Sequence, residues 1–108
     1  MAIPHAQHGE PIDLAPLGST ITSTKTATLA KTSALELIRL VLPAGKVIPE
    51  HKVAGELTFQ CLEGEIEFTA GGKMQLLRAG MLLWLSGNEP HAVRAATNAS
   101  ALVTIVLR

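Results

Sequence analysis

Gly45–Gly64 reads GKVIPEHKVAGELTFQCLEG, and Gly80–His91 reads GMLLWLSGNEPH. Each block opens on a glycine and carries a single histidine. Five residues separate Gly45 from His51, and Gly64 closes the first block. Ten residues separate Gly80 from His91. Each block also holds an apolar run of strand length, Glu56–Leu62 in the first and Met81–Leu85 in the second. Short apolar runs cut by Gly, Pro and Asn read as β-strands joined by turns.

The flanking sequence continues in the same way. Residues 1–18 contain Pro4, Pro11 and Pro16 among polar residues and read as an irregular arm, with residues 19–108 as the folded domain. Thr20–Thr28 (TITSTKTAT) is rich in β-branched residues and is expected to be an edge strand. Ala34–Leu42 follows and is stopped by Pro43-Ala44-Gly45. Glu65–Thr69 alternates polar with apolar, Ala70-Gly71-Gly72-Lys73 is a hairpin signal, and Met74–Leu77 returns. Ala92–Ala95 and Ala101–Leu107 complete the set, and no segment supports a helix. A series of short strands with regular turns implies an all-β sandwich or closed barrel.

Composition narrows the function. The chain has 108 residues, enough for one domain with a real core. Nine basic residues balance nine acidic ones, which argues against nucleic acid or an anionic membrane as partner. The start, MAIPHAQHGE, is neither basic nor apolar, so no signal peptide is expected. No apolar stretch approaches the roughly 20 residues that span a bilayer. A single cysteine, Cys61, fits a reducing cytoplasm. The aromatic residues are only Phe59, Phe68 and Trp84, so the core must be aliphatic.

Met81–Leu85 (MLLWL) and Ala101–Leu107 (ALVTIVL) are apolar on both faces or nearly so. A sandwich strand normally buries one face. A second copy of the chain is the simplest cover for the other, so a homodimer is expected, with Thr58 and Gln60 facing it and Trp84 in the core or across the interface.

The two blocks resemble the paired signatures of the cupin superfamily. The first of these is a glycine, five residues, His-x-His, a short gap, a glutamate, six residues and a glycine. Gly45, His51 and Gly64 match it. Val53 stands at the second histidine position and Leu57 at the glutamate position, with Glu56 one residue early. In the second signature Gly80 and His91 match, while Ser86, Asn88 and Ala95 replace the usual proline, glycine and asparagine. The resemblance covers roughly residues 34–107. It implies a cupin-type double-stranded β-helix, the jelly-roll barrel.

It also implies where a metal would sit. Cupins commonly hold Fe, Mn, Ni or Zn with three imidazoles and a carboxylate, a donor set those divalent ions favour. Here His51 and His91 remain, and Val53 and Leu57 donate nothing. Glu56 joins them only if a bulge at Gly55 reverses the strand alternation. His5 and His8 look like a second chelating pair but lie in the arm.

His51 and His91 are therefore expected to converge at one end of the barrel, facing a pocket lined by Val53, Leu57 and Phe59, with Cys61 further along the same strand face. Each histidine has an alternative role as a polar core residue satisfied by backbone. Three functions stay open. One is a protein that binds or senses a small molecule at this pocket. Another is a metal-dependent enzyme of dioxygenase or isomerase type, acting on a small organic acid or phenolic compound, a class that the resemblance alone supplies. The third is a non-catalytic barrel acting through association.

Overall fold

The computed structural model describes residues 5–107, so residues 1–4 of the expected arm lie outside the described part. Nine strands follow one 3₁₀ helix at Gly18–Ser23: β1 Ala27–Lys31, β2 Leu35–Leu42, β3 Val47–His51, β4 Leu57–Glu63, β5 Glu65–Ala70, β6 Lys73–Arg78, β7 Leu82–Leu85, β8 His91–Ala95 and β9 Ala99–Val106. They form two antiparallel sheets, ordered β1-β2-β9-β4-β7 and β3-β8-β5-β6. This is the all-β architecture that the turn spacing implies and the jelly roll that the resemblance implies. The β5–β6 hairpin closes through Gly71 and Gly72, with φ of 58° and 73°. Positive φ at both central residues is what a two-residue hairpin of matching twist needs.

Register sorts the side chains between core and surface. Phe59 of β4 lies opposite Val103 of β9 and Leu83 of β7, and Ile38 of β2 lies opposite the same Val103. These face the other sheet, where Ile66, Phe68 and Val93 are buried. Phe59 meets Phe68 edge-on, with ring centroids 5.0 Å apart at 64°. Ala95, Ala99 and Ala101 are fully buried, so the two sheets approach closely at that end. The opposite end lacks such filling and stays hollow.

Two segments differ from the sequence reading. Thr20–Thr28 is not a strand: its first half is the 3₁₀ helix, and β1 begins only at Ala27. The hydroxyls explain this. Thr20 Oγ1 donates to the Leu17 carbonyl at 2.8 Å, and Ser23 Oγ and Thr24 Oγ1 donate to the Thr20 carbonyl. Ser and Thr that bond their own neighbourhood compete with a strand ladder. The second difference is β3, where no strand was expected. Pro49 lies inside it, and β3 tolerates this because it is an edge strand with irregular register between Ile48 and His51.

The described residues before β1 run along the outer face of the five-stranded sheet. Ile21 is buried there, 3% exposed. Glu63 anchors the passage. Its carboxylate accepts the backbone N–H groups of Leu17 and Gly18 and the Ser100 hydroxyl. Arg39 Nη2 lies 3.3 Å from the same carboxylate and donates to the Ala15 carbonyl at 2.8 Å.

Candidate functional site

The hollow end is a cavity of about 130 Å³ between the two sheets. Ile38, Leu40, Leu57, Phe59, Val103 and Ile105 line it from one sheet, and Ile48, His51, His91 and Val93 from the other. Val53, in the loop after β3, completes the wall. Val53, Leu57 and Phe59 are among these lining residues. Cys61 and Glu56 are not among the lining residues.

A one-residue irregularity brings the histidines together. Ile48 pairs with Val93, yet His51 pairs with His91, so β3 spends three residues where β8 spends two. Strict alternation would send His51 to the face opposite Ile48. The extra residue of a bulge at Pro49–Glu50 returns it to the cavity side. His51 and His91 become cross-strand neighbours, with ring centroids 4.3 Å apart and planes tilted by 57°. His91 is buried and lies parallel to Phe68, with centroids 5.6 Å apart. His51 is exposed and marks the mouth.

The hydrogen bonds fix which nitrogens remain free. His51 Nδ1 lies 3.0 Å from the Pro49 carbonyl oxygen, and His91 Nδ1 lies 2.9 Å from the Glu89 carbonyl oxygen. A carbonyl only accepts, so each neutral ring carries its proton on Nδ1. Both Nε2 atoms are then bare lone pairs. The site is a pair of acceptors over an apolar hollow.

The loop after His51 and the loop before His91 are locked to each other. Asn88 N donates to the Val53 carbonyl at 2.7 Å. Gly87 packs flat against the backbone of Ala54 and Gly55, where a Cβ would overlap the Ala54 carbonyl. Asn88 holds φ at 63°, the left-handed region that Asn tolerates best after Gly. Asn can therefore stand at a position where the resembling signature has a glycine.

A four-donor metal centre does not fit these residues. Among the described residues, no group of three or more His, Cys, Asp or Glu is placed to hold an ion. Glu56 stays away because Leu57 is buried and faces inward, and the pairing of β4 shows no bulge at Gly55 that would turn its neighbour. The exposed His5 and His8 border a separate hollow beside the arm. Cys61 packs deeper in the core, its thiol donating weakly to the Glu63 carbonyl at 3.4 Å. Burial, reinforced by the charges of Glu63 and Glu65, pushes this thiol above the ordinary range despite that bond. A buried thiol so shifted is inert.

Sequence reasoning missed Ile38, Leu40, Ile48, Val93, Val103 and Ile105 as cavity walls. Alternation within β2, β8 and β9 is the signal that finds five of them. Ile48 follows only once Pro49 is read as a bulge.

Comparison with known proteins gives the family. The Cupin domain family matches residues 38–107. A solved RmlC-like cupin protein from Desulfovibrio desulfuricans is 31% identical over 75% of this chain and 79% of its own, with a TM-score of 0.69. A predicted oxalate decarboxylase from Thermotoga maritima is 27% identical over 77% of this chain and 79% of its own, with a TM-score of 0.70. A cupin superfamily protein from Desulfitobacterium hafniense covers 100% of this chain and 99% of its own at 18% identity and a TM-score of 0.79, a likeness of fold. No curated protein sequence matches the chain.

Proposed function

The chain belongs to the cupin family, and on that premise we propose that the cavity behind His51 and His91 is the binding site of a small molecule. One observation carries the reading: two imidazoles paired at 4.3 Å face an apolar hollow, with no third donor beside them among the described residues. A concave apolar site with a few convergent polar groups is the usual form of a ligand pocket. The likeness to a protein named as a predicted oxalate decarboxylase favours a second reading, a metal-dependent enzyme acting on a small organic acid. Val53 and Leu57 argue against it, since they fill the places of two ligands with hydrocarbon. The lone buried thiol agrees with a cytoplasmic setting.

The test compares wild type with His51→Ala plus His91→Ala, both purified without an affinity tag. The expected result is metal well below one ion per chain in wild type, and small-molecule binding that the double substitution abolishes. Stoichiometric iron, manganese, nickel or zinc in wild type would establish the enzyme reading instead.

The proposal extends to self-association through the outer face of the five-stranded sheet. Leu82 and Trp84 of β7 project there, 60% and 63% exposed, opposite Gln60 and Thr58. Those four side chains carry no charge, and β7 is the last strand of its sheet. An apolar neutral patch on a sheet edge is self-complementary, and solitary proteins avoid such edges. Light scattering at micromolar concentration is expected to give dimer mass, little changed by high salt. Leu82→Glu with Trp84→Glu is expected to give monomer. Monomer mass for wild type would exclude this interface.

A further inference from the structure

We infer that the cavity takes a neutral molecule about the size of one six-membered ring, which donates an O–H or N–H to the histidine pair. The inference deepens the small-molecule reading and rests on it. Three observations select the class.

Size comes first. A hollow of about 130 Å³ is slightly smaller than the engineered apolar cavity of about 150 Å³ that stays dry and binds benzene. One ring fills the hollow, and a larger molecule must extend through the mouth beside the exposed His51. Polarity comes second. Nine of the eleven lining residues are Ile, Leu, Val or Phe, so everything beyond the reach of the imidazoles must be hydrocarbon. Hydrogen-bonding sense comes third. With each Nδ1–H committed to a backbone carbonyl, the neutral pair offers lone pairs and no donor. Among the described residues, no Lys or Arg lines the cavity. A carboxylate would enter a hydrocarbon hollow facing two acceptors and no counter-charge, which is strongly unfavourable. A hydroxyl meets the same acceptors with its proton. A ring without a donor gains the burial but shields the His91 lone pair from water without pairing it.

Phenol, toluene and benzoate separate these contributions, because they share a ring and differ in the group presented. Each is titrated into the full chain at about pH 8. Binding is read from side-chain chemical shifts. The expected order is phenol, then toluene about tenfold weaker, with benzoate weakest, and the shifts fall on Phe59, Val103 and His91. His91→Phe keeps a flat ring against Phe68 and removes the acceptor. It is expected to reduce phenol to the affinity of toluene while toluene itself is held. His51→Phe, at the exposed member, gives the same comparison if His91→Phe does not fold. Benzoate binding at these residues more tightly than phenol would overturn the ligand class and leave the binding site standing. No shift at these residues from any of the three would overturn both.

Discussion

Glu63→Ala is expected to destabilise the protein by about 3–5 kcal/mol, the usual cost of stripping one partner from a buried ion pair. The Arg39 and Glu63 side chains are only 10% and 14% exposed. Removing the carboxylate leaves Arg39 without its counter-charge, the Ser100 hydroxyl without its acceptor and the N–H groups of Leu17 and Gly18 without theirs. One substitution thus frees the Leu17–Gly18 backbone from the sheet and loosens the packing of Ile21. The same carboxyl adds a pH dependence. Burial pushes its pKa up, but the Leu17 N–H, the Ser100 hydroxyl, the Gly18 N–H and Arg39 together pull it further down, below the usual carboxylate range. The folded protein therefore holds this proton less readily than the unfolded chain. The stabilisation is complete above the ordinary carboxylate pKa of roughly 4.3 and disappears as pH falls toward the folded value. Urea unfolding followed by circular dichroism, at neutral pH and at about pH 3, measures both effects. Glu63→Gln should show a shallower loss between those pH values than wild type. A loss under about 1 kcal/mol for Glu63→Ala at neutral pH would contradict the anchoring role.

Gly87→Ala is expected to loosen the site from outside it. A Cβ there would overlap the Ala54 carbonyl oxygen and lie 3.3 Å from the Ala54 carbonyl carbon. Both are backbone atoms, so a rotamer change cannot relieve the contact. The two loops that flank the histidines must separate, and the Asn88 N–H loses the Val53 carbonyl. Forced overpacking of this kind costs about 1–3 kcal/mol. Val53 moves with its loop, so the cavity mouth widens, and phenol affinity is expected to fall about tenfold or more. Gly72→Ala, in a distant hairpin with open space at its Cβ, serves as the control for strain at a turn glycine. Unchanged phenol binding by Gly87→Ala would show that loop contact does not set the pair.

What the sequence revealed follows from which forces are local. Apart from β3, the strands from Ala34 to Leu107 were legible because apolar runs are cut at Gly45, Gly64, Gly71-Gly72 and Gly80, and each cut marks a real turn. The histidine pair was legible through its spacing from those glycines. The 3₁₀ helix was not, because β-branched Thr20 and Thr24 favour strands by propensity while their hydroxyls bond the turn they sit in. Strand β3 was hidden by Pro49, which looks like a terminator and is instead part of the bulge that aims His51. The anchor at Glu63 was invisible for a different reason. Arg39, Glu63 and Ser100 are far apart in sequence and meet only through the β2–β9–β4 register.

The most direct test of the acceptor pair is the tautomeric state of the two rings, read from long-range proton–nitrogen correlations of uniformly ¹⁵N-labelled protein at about pH 8. Both histidines are expected as the Nδ1–H form, with unprotonated Nε2, because the Pro49 and Glu89 carbonyls accept from Nδ1. Addition of phenol should shift the His91 Nε2 resonance and leave its Nδ1 resonance nearly in place. An Nε2–H tautomer at His91 would contradict the account, since the cavity would then meet a donor where a lone pair is required.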